Sequence, residues 1–212
     1  MEKVLVVDGK KIDEFMKRAK EEKLTNKDFF RTVNKFEFEI RKIAESVKQA
    51  KGRRQVIPYI FLENKGRIAL FQRDNGKEKR LKHKYTIGIG GHINPEDAIS
   101  EQGGETSKVN DLEFIVEKAS FRELQEEISF AGIPCGVTSF FKFILMDNNE
   151  VDKVHFGLAY KMKIHTKKSH IKIETKDDEV SFVGFFTPQQ LKKKMKYGFN
   201  FENWSKLLIS SL

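Results

Sequence analysis

The sequence predicts an α/β protein, and three observations carry that prediction. Apolar runs at residues 56–62 and 68–73 flank the turn-forming Asn64-Lys65-Gly66 and read as a β-hairpin. A helix is expected over residues 111–128, where Leu112, Val116, Ala119, Leu124 and Ile128 supply an apolar stripe. Further strand signals at 140–146, 154–164 and 180–186 are followed by two more helices. Strands and helices interleaved in this way build a sheet covered by helices.

Taken in order, Val4-Leu5-Val6-Val7 reads as a strand ended by Asp8-Gly9. Ile12, Phe15, Met16 and Ala19 follow helical spacing, and Asn26 is a cap for the next turn. Phe36, Ile40, Ile43, Ala44 and Val47 predict a second amphipathic helix. Residues 1–52 therefore form an α-rich N-terminal extension, a strand plus helices, with the junction to a second domain, 53–212, near Lys51-Gly52-Arg53-Arg54. Pro58 inside the first strand of that domain points to an edge or a bulge.

The basic loop 77–84 leads to the strand Tyr85-Thr86-Ile87-Gly88-Ile89-Gly90-Gly91, which His92 follows. Glycine permits close backbone approach, which suits a strand end facing a ligand. Residues 93–110 read as a long loop with Gly103-Gly104 as its flexible point. Asn110 or Asp111 caps the main helix, and Gly132 with Pro134 ends it. Cys135 reads as a buried small hydrophobe. Asp147-Asn148-Asn149-Glu150 is expected as a hairpin turn, and Thr187-Pro188 opens a helix with Thr as cap. The final helix packs Trp204, Leu207 and Leu208 on the core.

Composition bounds the function. The chain has 212 residues, 39% hydrophobic and 33% charged, which fits a globular protein with one well-filled core and an extension. No apolar run is long enough to cross a bilayer, so no membrane partner is expected. The N-terminus lacks a signal-peptide pattern, and a single cysteine excludes an internal disulfide; both point to the cytoplasm. A formal net charge of +9 favours anionic partners. Lys192, Lys193, Lys194 and Lys196 read as a solvated helix face, and nucleic acid is not expected as a partner because basic and aromatic residues do not interleave as single-strand binding needs.

The chemistry concentrates in Arg122-Glu123-Leu124-Gln125-Glu126-Glu127. On a helix Glu123 lies three residues before Glu126 and four before Glu127, so three carboxylates crowd one face at a cost in repulsion. A divalent cation turns that cost into a site, and clustered oxygen donors suit Mg²⁺ or Mn²⁺.

This stretch resembles the Nudix hydrolase signature, Gly-x5-Glu-x7-Arg-Glu-U-x-Glu-Glu-x-Gly-U with U a bulky apolar residue. Arg122, Glu123, Leu124, Glu126, Glu127 and Phe130 match its second half, and Ser129 stands where the family has Gly. The first half is stretched. Counting from Gly91, the first acid falls on Asp97 and Arg122 comes 17 residues late; Glu105 is an alternative, 9 residues early.

The resemblance implies a Nudix fold, a mixed β-sheet sandwiched between helices. It implies metal-dependent hydrolysis of a diphosphate linkage in a nucleoside diphosphate derivative. Glu126 and Glu127 would be metal ligands, Glu123 a ligand or the general base, and Arg122 an orienting residue. One further acid is expected from 174–179, with Glu174 preferred over Asp177, Asp178 and Glu179. Arg73, Gly90, Gly91 and His92 would contact substrate. Two other readings stand beside it: a Nudix module that binds a nucleotide or RNA without cleavage, and an isopentenyl-diphosphate isomerase, which needs a cysteine where this chain has Gly90-Gly91-His92. The exposed strands and the extension are compatible with a homodimer.

Overall fold

The computed structural model describes residues 1–74, 81–102, 105–130, 137–164, 173–176 and 180–212. Its contacts divide the chain into two compact units. One comprises Met1–Pro58, Gly91–Phe121 and Phe143–Leu158; the other comprises Tyr59–Gly90, Arg122–Lys142 and Ala159–Leu212.

In the first unit, β1 (Lys3–Asp8) carries Val4, Leu5, Val6 and Val7, all buried. Asp8 accepts a hydrogen bond from the Lys10 N–H at 2.9 Å and so caps α1 (Gly9–Glu21), which buries Ile12 and Phe15. The next helix, α2 (Asn26–Thr32), is capped by Thr25 rather than Asn26: the Thr25 and Asp28 side chains each accept from the other's backbone N–H. Phe15 stands edge-on to Phe29 and Phe143, with centroids 5.4 and 5.0 Å away, and Phe156 stacks on Phe29 at 5.0 Å. These rings form the aromatic centre of the unit.

The expected second helix of the N-terminal region is instead β2 (Phe36–Ile40) followed by a single turn, α3 (Arg41–Ala44). β2 pairs antiparallel with β1 from Lys3↔Ile40 to Val7↔Phe36. Phe36-Glu37-Phe38-Glu39-Ile40 alternates apolar and acidic residues, and that period-2 pattern prevails over the 3.6-period reading of the same segment. On its other side β1 pairs with β3 (Arg53–Asn64) through Val6↔Gln55 and Asp8↔Arg53.

The hairpin is present: β3 turns at Lys65 and Gly66, both at positive φ (50° and 75°), into β4 (Arg67–Arg73). β5 (Tyr85–Thr86) pairs with β4, and β6 (Gly88–Gly90) pairs with β3 at Tyr59–Phe61. Pro58 is thus not on an edge strand. It lies between the residues of β3 that pair with β1 and those that pair with β6. A Cβ on Gly88 would come within 2.2 Å of the Tyr59 ring, so this close approach requires glycine.

Within the stretch expected as a long loop lie a 3-10 turn, Pro95–Ala98, and two antiparallel strands, β7 (Ile99–Gln102) and β8 (Glu105–Lys108); Gly103 and Gly104 lie outside the described residues. Asp97 is buried and accepts from the Asn94 N–H at 2.8 Å, a capping role. α4 (Leu112–Glu127) begins where the sequence places it, with Asp111 accepting from the N–H groups of Glu113 and Phe114. It ends at Glu127 and passes straight into β9 (Ile128–Phe130). The Gly132–Pro134 stop and Cys135 lie outside the described residues.

β10 (Val137–Ile144) and β11 (His155–Lys163) are neighbours in strand order. The segment between them is not a bare turn but includes a short helix, α5 (Glu150–Val154), capped by Asn149. β12 (Ile173–Thr175) pairs antiparallel with β9, and β13 (Val180–Phe186) with β4, the latter through a bulge between Phe182 and Gly184. Thr187 caps α6 (Pro188–Lys196) as expected, and α7 (Asn203–Ser211) closes the chain with Leu208 and Ile209 buried. No helix among the described residues is long and apolar enough to cross a membrane.

Candidate active site

The last two turns of α4 belong to the second unit and carry the acidic cluster. Leu124 and Ile128 bury on one side. On the other, Arg122 Nη1 donates to Glu123 Oε1 at 2.8 Å and to Glu126 Oε2 at 3.2 Å. A single guanidinium nitrogen therefore stands between two carboxylates and offsets the repulsion that their spacing creates.

Glu127 is held by a different cation. Arg73, the last residue of β4, donates from Nε to Glu202 Oε1 at 3.0 Å and from Nη1 to Glu127 Oε1 at 3.5 Å. All three side chains are largely withdrawn from solvent, at 11%, 9% and 14% exposure for Arg73, Glu202 and Glu127. Burial works against the Arg73 charge, but the fields of Glu202 and then Glu127 outweigh it and hold the guanidinium above the ordinary arginine value. Arg73 is thus a fixed cation whose guanidinium binds two acids, one from α4 and one from the residue that precedes α7.

Glu202 is the residue that sequence reasoning missed. Its backbone N–H donates to the Tyr85 carbonyl at 2.9 Å, which ties the start of α7 to β5. Beneath it lies a buried hydroxyl set: the Tyr59 Oη is 2.8 Å from Thr86 Oγ1 and 3.0 Å from Ser205 Oγ, and accepts from the Gly88 N–H at 3.1 Å. Burial and then the Glu202 charge raise the Tyr59 phenol above its usual range, so it stays neutral. These hydroxyls join β3, β5, β6 and α7, the elements that frame Arg73.

Glu174 sits on β12, with its Cα opposite Ser129 in the two-stranded β9–β12 sheet. The Lys176 N–H donates to the Glu127 carbonyl at 2.9 Å, and Lys176 Nζ donates to the Gln125 carbonyl at 2.7 Å. The segment bearing Glu174 is therefore anchored on the end of α4, two residues beyond Glu127. Asp177, Asp178 and Glu179 lie outside the described residues.

Gly90 ends β6 in the second unit, its backbone opposite Tyr59. Gly91 and His92 belong to the first unit. There the His92 Nδ1 is 4.0 Å from Glu2 Oε1, and its ring lies 6.1 Å from that of His155.

Among the described residues no group of three or more His, Cys, Asp or Glu side chains is gathered as metal ligands. The donor set nonetheless fits a hard divalent ion in kind. It is all carboxylate oxygen, and Glu123 and Glu126 already converge on one positive centre, Arg122 Nη1.

No family model matches the chain. Protein YmaB of Bacillus subtilis (strain 168) is 27% identical over 160 residues, which cover 75% of this chain and 71% of that protein. The crystal structure of Tm1382, described as a candidate Nudix hydrolase, superimposes with a TM-score of 0.70 at 22% identity, covering 99% of this chain and 97% of that one. A weaker likeness, TM-score 0.44 at 15% identity, is to a bifunctional NMN adenylyltransferase/ADP ribose pyrophosphatase from Francisella tularensis, over 74% of this chain and 40% of that one. The near-complete superposition on Tm1382 agrees with the fold expected from Arg122–Glu127: this chain is built on the Nudix fold.

Proposed function

We propose that the chain is a Mg²⁺- or Mn²⁺-dependent hydrolase that cleaves a diphosphate linkage in a nucleoside diphosphate derivative. The observation that carries this reading is the end of α4, where Glu123, Glu126 and Glu127 are held by two arginines that reach them from different elements. A solvated acidic helix face needs no such framing, and Arg73 is too buried to be a surface counter-ion.

Glu126 and Glu127 are the proposed ligands, with Glu174 as the added acid from β12. The bound ion would neutralise phosphate oxygens and act as a Lewis acid. Arg122 positions Glu123 and Glu126; Arg73, backed by Glu202, positions Glu127. Glu123 is the proposed general base: its carboxylate accepts a proton from water, the water oxygen attacks phosphorus, and the bridging P–O bond breaks with the leaving phosphate taking the electron pair. Gly90 offers backbone to the substrate phosphates.

The test is turnover against a panel of nucleoside diphosphate derivatives with Mg²⁺ or Mn²⁺. Glu127→Gln is expected to lose on the order of 100-fold or more in rate while its melting curve stays cooperative. Undiminished turnover in that variant removes the cluster from the mechanism. A second reading is a module that binds a nucleotide without cleaving it; Ser129 at the family's Gly position and the stretched first half of the signature favour it. Nucleotide-dependent stabilisation with no turnover under any metal would select it.

A further inference from the structure

A second charge concentration, of opposite sign, lies on α6. Residues 180–201, bounded by Glu179 and Glu202, contain four lysines, all on α6, and no acidic residue. Asp74 is hydrogen-bonded to Ser181, at the opposite end of β13 from α6. Leu191 faces inward and is fully buried. Gln189, Lys192, Lys193 and Lys196 lie on the solvent side, and Tyr197 follows at the C-terminal end. These positions are three and four apart and share one helix face.

Among the described residues none of Lys192, Lys193 and Lys196 makes an ion pair. Favourable contact with the C-terminal end of a helix accounts for a cation or two. It does not account for three ammonium groups crowded at spacings where like charges repel.

The aromatic component is what the linear reading did not see. Tyr197 is 71% exposed, the most exposed aromatic ring among the described residues. Lys193 Nζ lies 5.7 Å from its centroid. Alongside, Lys194 Nζ stands 4.6 Å from the Phe186 ring and 4.2 Å from that of Phe199, so its stem fills the inner side of the patch. A flat ring open to solvent beside Lys193, at the end of a helix face that also carries Lys192 and Lys196, is an arrangement that accepts a base by stacking and its phosphates by charge.

We propose that the α6 face, Lys192, Lys193, Lys196 and Tyr197, binds single-stranded nucleic acid. The surface is separate in kind from the acidic end of α4: it repels nothing anionic and offers no metal ligand.

The experiment is fluorescence anisotropy of a labelled oligouridylate with the full chain, across a salt series. The triple variant Lys192→Ala/Lys193→Ala/Lys196→Ala is expected to weaken binding at least tenfold and to reduce the slope of log affinity against log salt by about 2, since three phosphate contacts are lost. Tyr197→Ala is expected to weaken binding by about tenfold with the slope kept, and Tyr197→Phe to restore it, since stacking needs the ring and not the hydroxyl. The affected residues are exposed, so unchanged melting curves accompany each variant. Unchanged affinity in the triple variant overturns the proposal. So does equal loss for Tyr197→Ala and Tyr197→Phe, or binding to anionic lipid vesicles with none to the oligonucleotide.

Discussion

Arg122 and Arg73 do the same pairing in two different settings. Each bridges two carboxylates, and each takes one or two of them from the end of α4. Arg122 sits on the helix itself beside Glu126, which is 57% exposed, and its partners are one and four residues away. Arg73 reaches across the fold to Glu127, 54 residues on, and Glu202, 129 residues on, with every member withdrawn from water. The outer set is local, with Glu123 at 15% exposure and only Glu126 open to water. The inner set is long-range, and removing Arg73 leaves two carboxylates unpaired where little water reaches them. The site therefore combines a buried, long-range half that fixes Glu127 with a local half in which Arg122 holds Glu123 and Glu126.

The largest effect that would sharpen this contrast is expected from Arg73→Ala. It strands Glu127 and Glu202 together, and urea denaturation should report a loss of about 3–5 kcal/mol. A loss below about 1 kcal/mol would break the distinction between the halves. Glu202→Gln keeps the shape and removes one charge; a smaller loss of about 1–3 kcal/mol is expected. Its rate should fall in step with any displacement of Glu127. Arg122→Ala stands at the other end. Its stability cost should stay within about 1 kcal/mol, while Mn²⁺ binding measured by calorimetry should weaken, because Glu123 and Glu126 are no longer oriented. Tighter Mn²⁺ binding in that variant would show that the guanidinium stands in the ion's place rather than orienting its ligands.

The outer half was legible in the sequence because helix periodicity brings its members together. Arg122, Glu123, Glu126 and Glu127 lie within six residues, and spacing alone places them on one face. The Asp111 cap, the Lys65-Gly66 turn and the Thr187-Pro188 helix start were legible for the same reason, since each is decided by neighbours. The inner half was not. Glu202 looks like any acid ahead of a helix until β5 and α7 fold together, and Arg73 looks like a strand-end cation offered to substrate. The error at β2 has another cause. Phe36, Ile40, Ile43 and Val47 fit a helical stripe, but pairing with β1 satisfies five backbones at once and that tertiary gain decides the segment. On α6 the lysines were legible along the chain, but the seating of Lys194 against Phe186 of β13 and Phe199 of the following loop was not, because those contacts form only on folding.

The short β9–β12 ladder imposes a rule of parity on the chain. Glu174 is placed by its register with Ser129, and Lys176 is bonded to the Glu127 carbonyl just beyond. Side chains alternate across a strand, so a one-residue insertion or deletion between Glu174 and Lys176 turns the carboxylate to the opposite face, whereas a two-residue change returns it to the original face one pleat further along. A three-residue strand thus acts as a counter that decides which face of the β9–β12 ladder carries the loop acid.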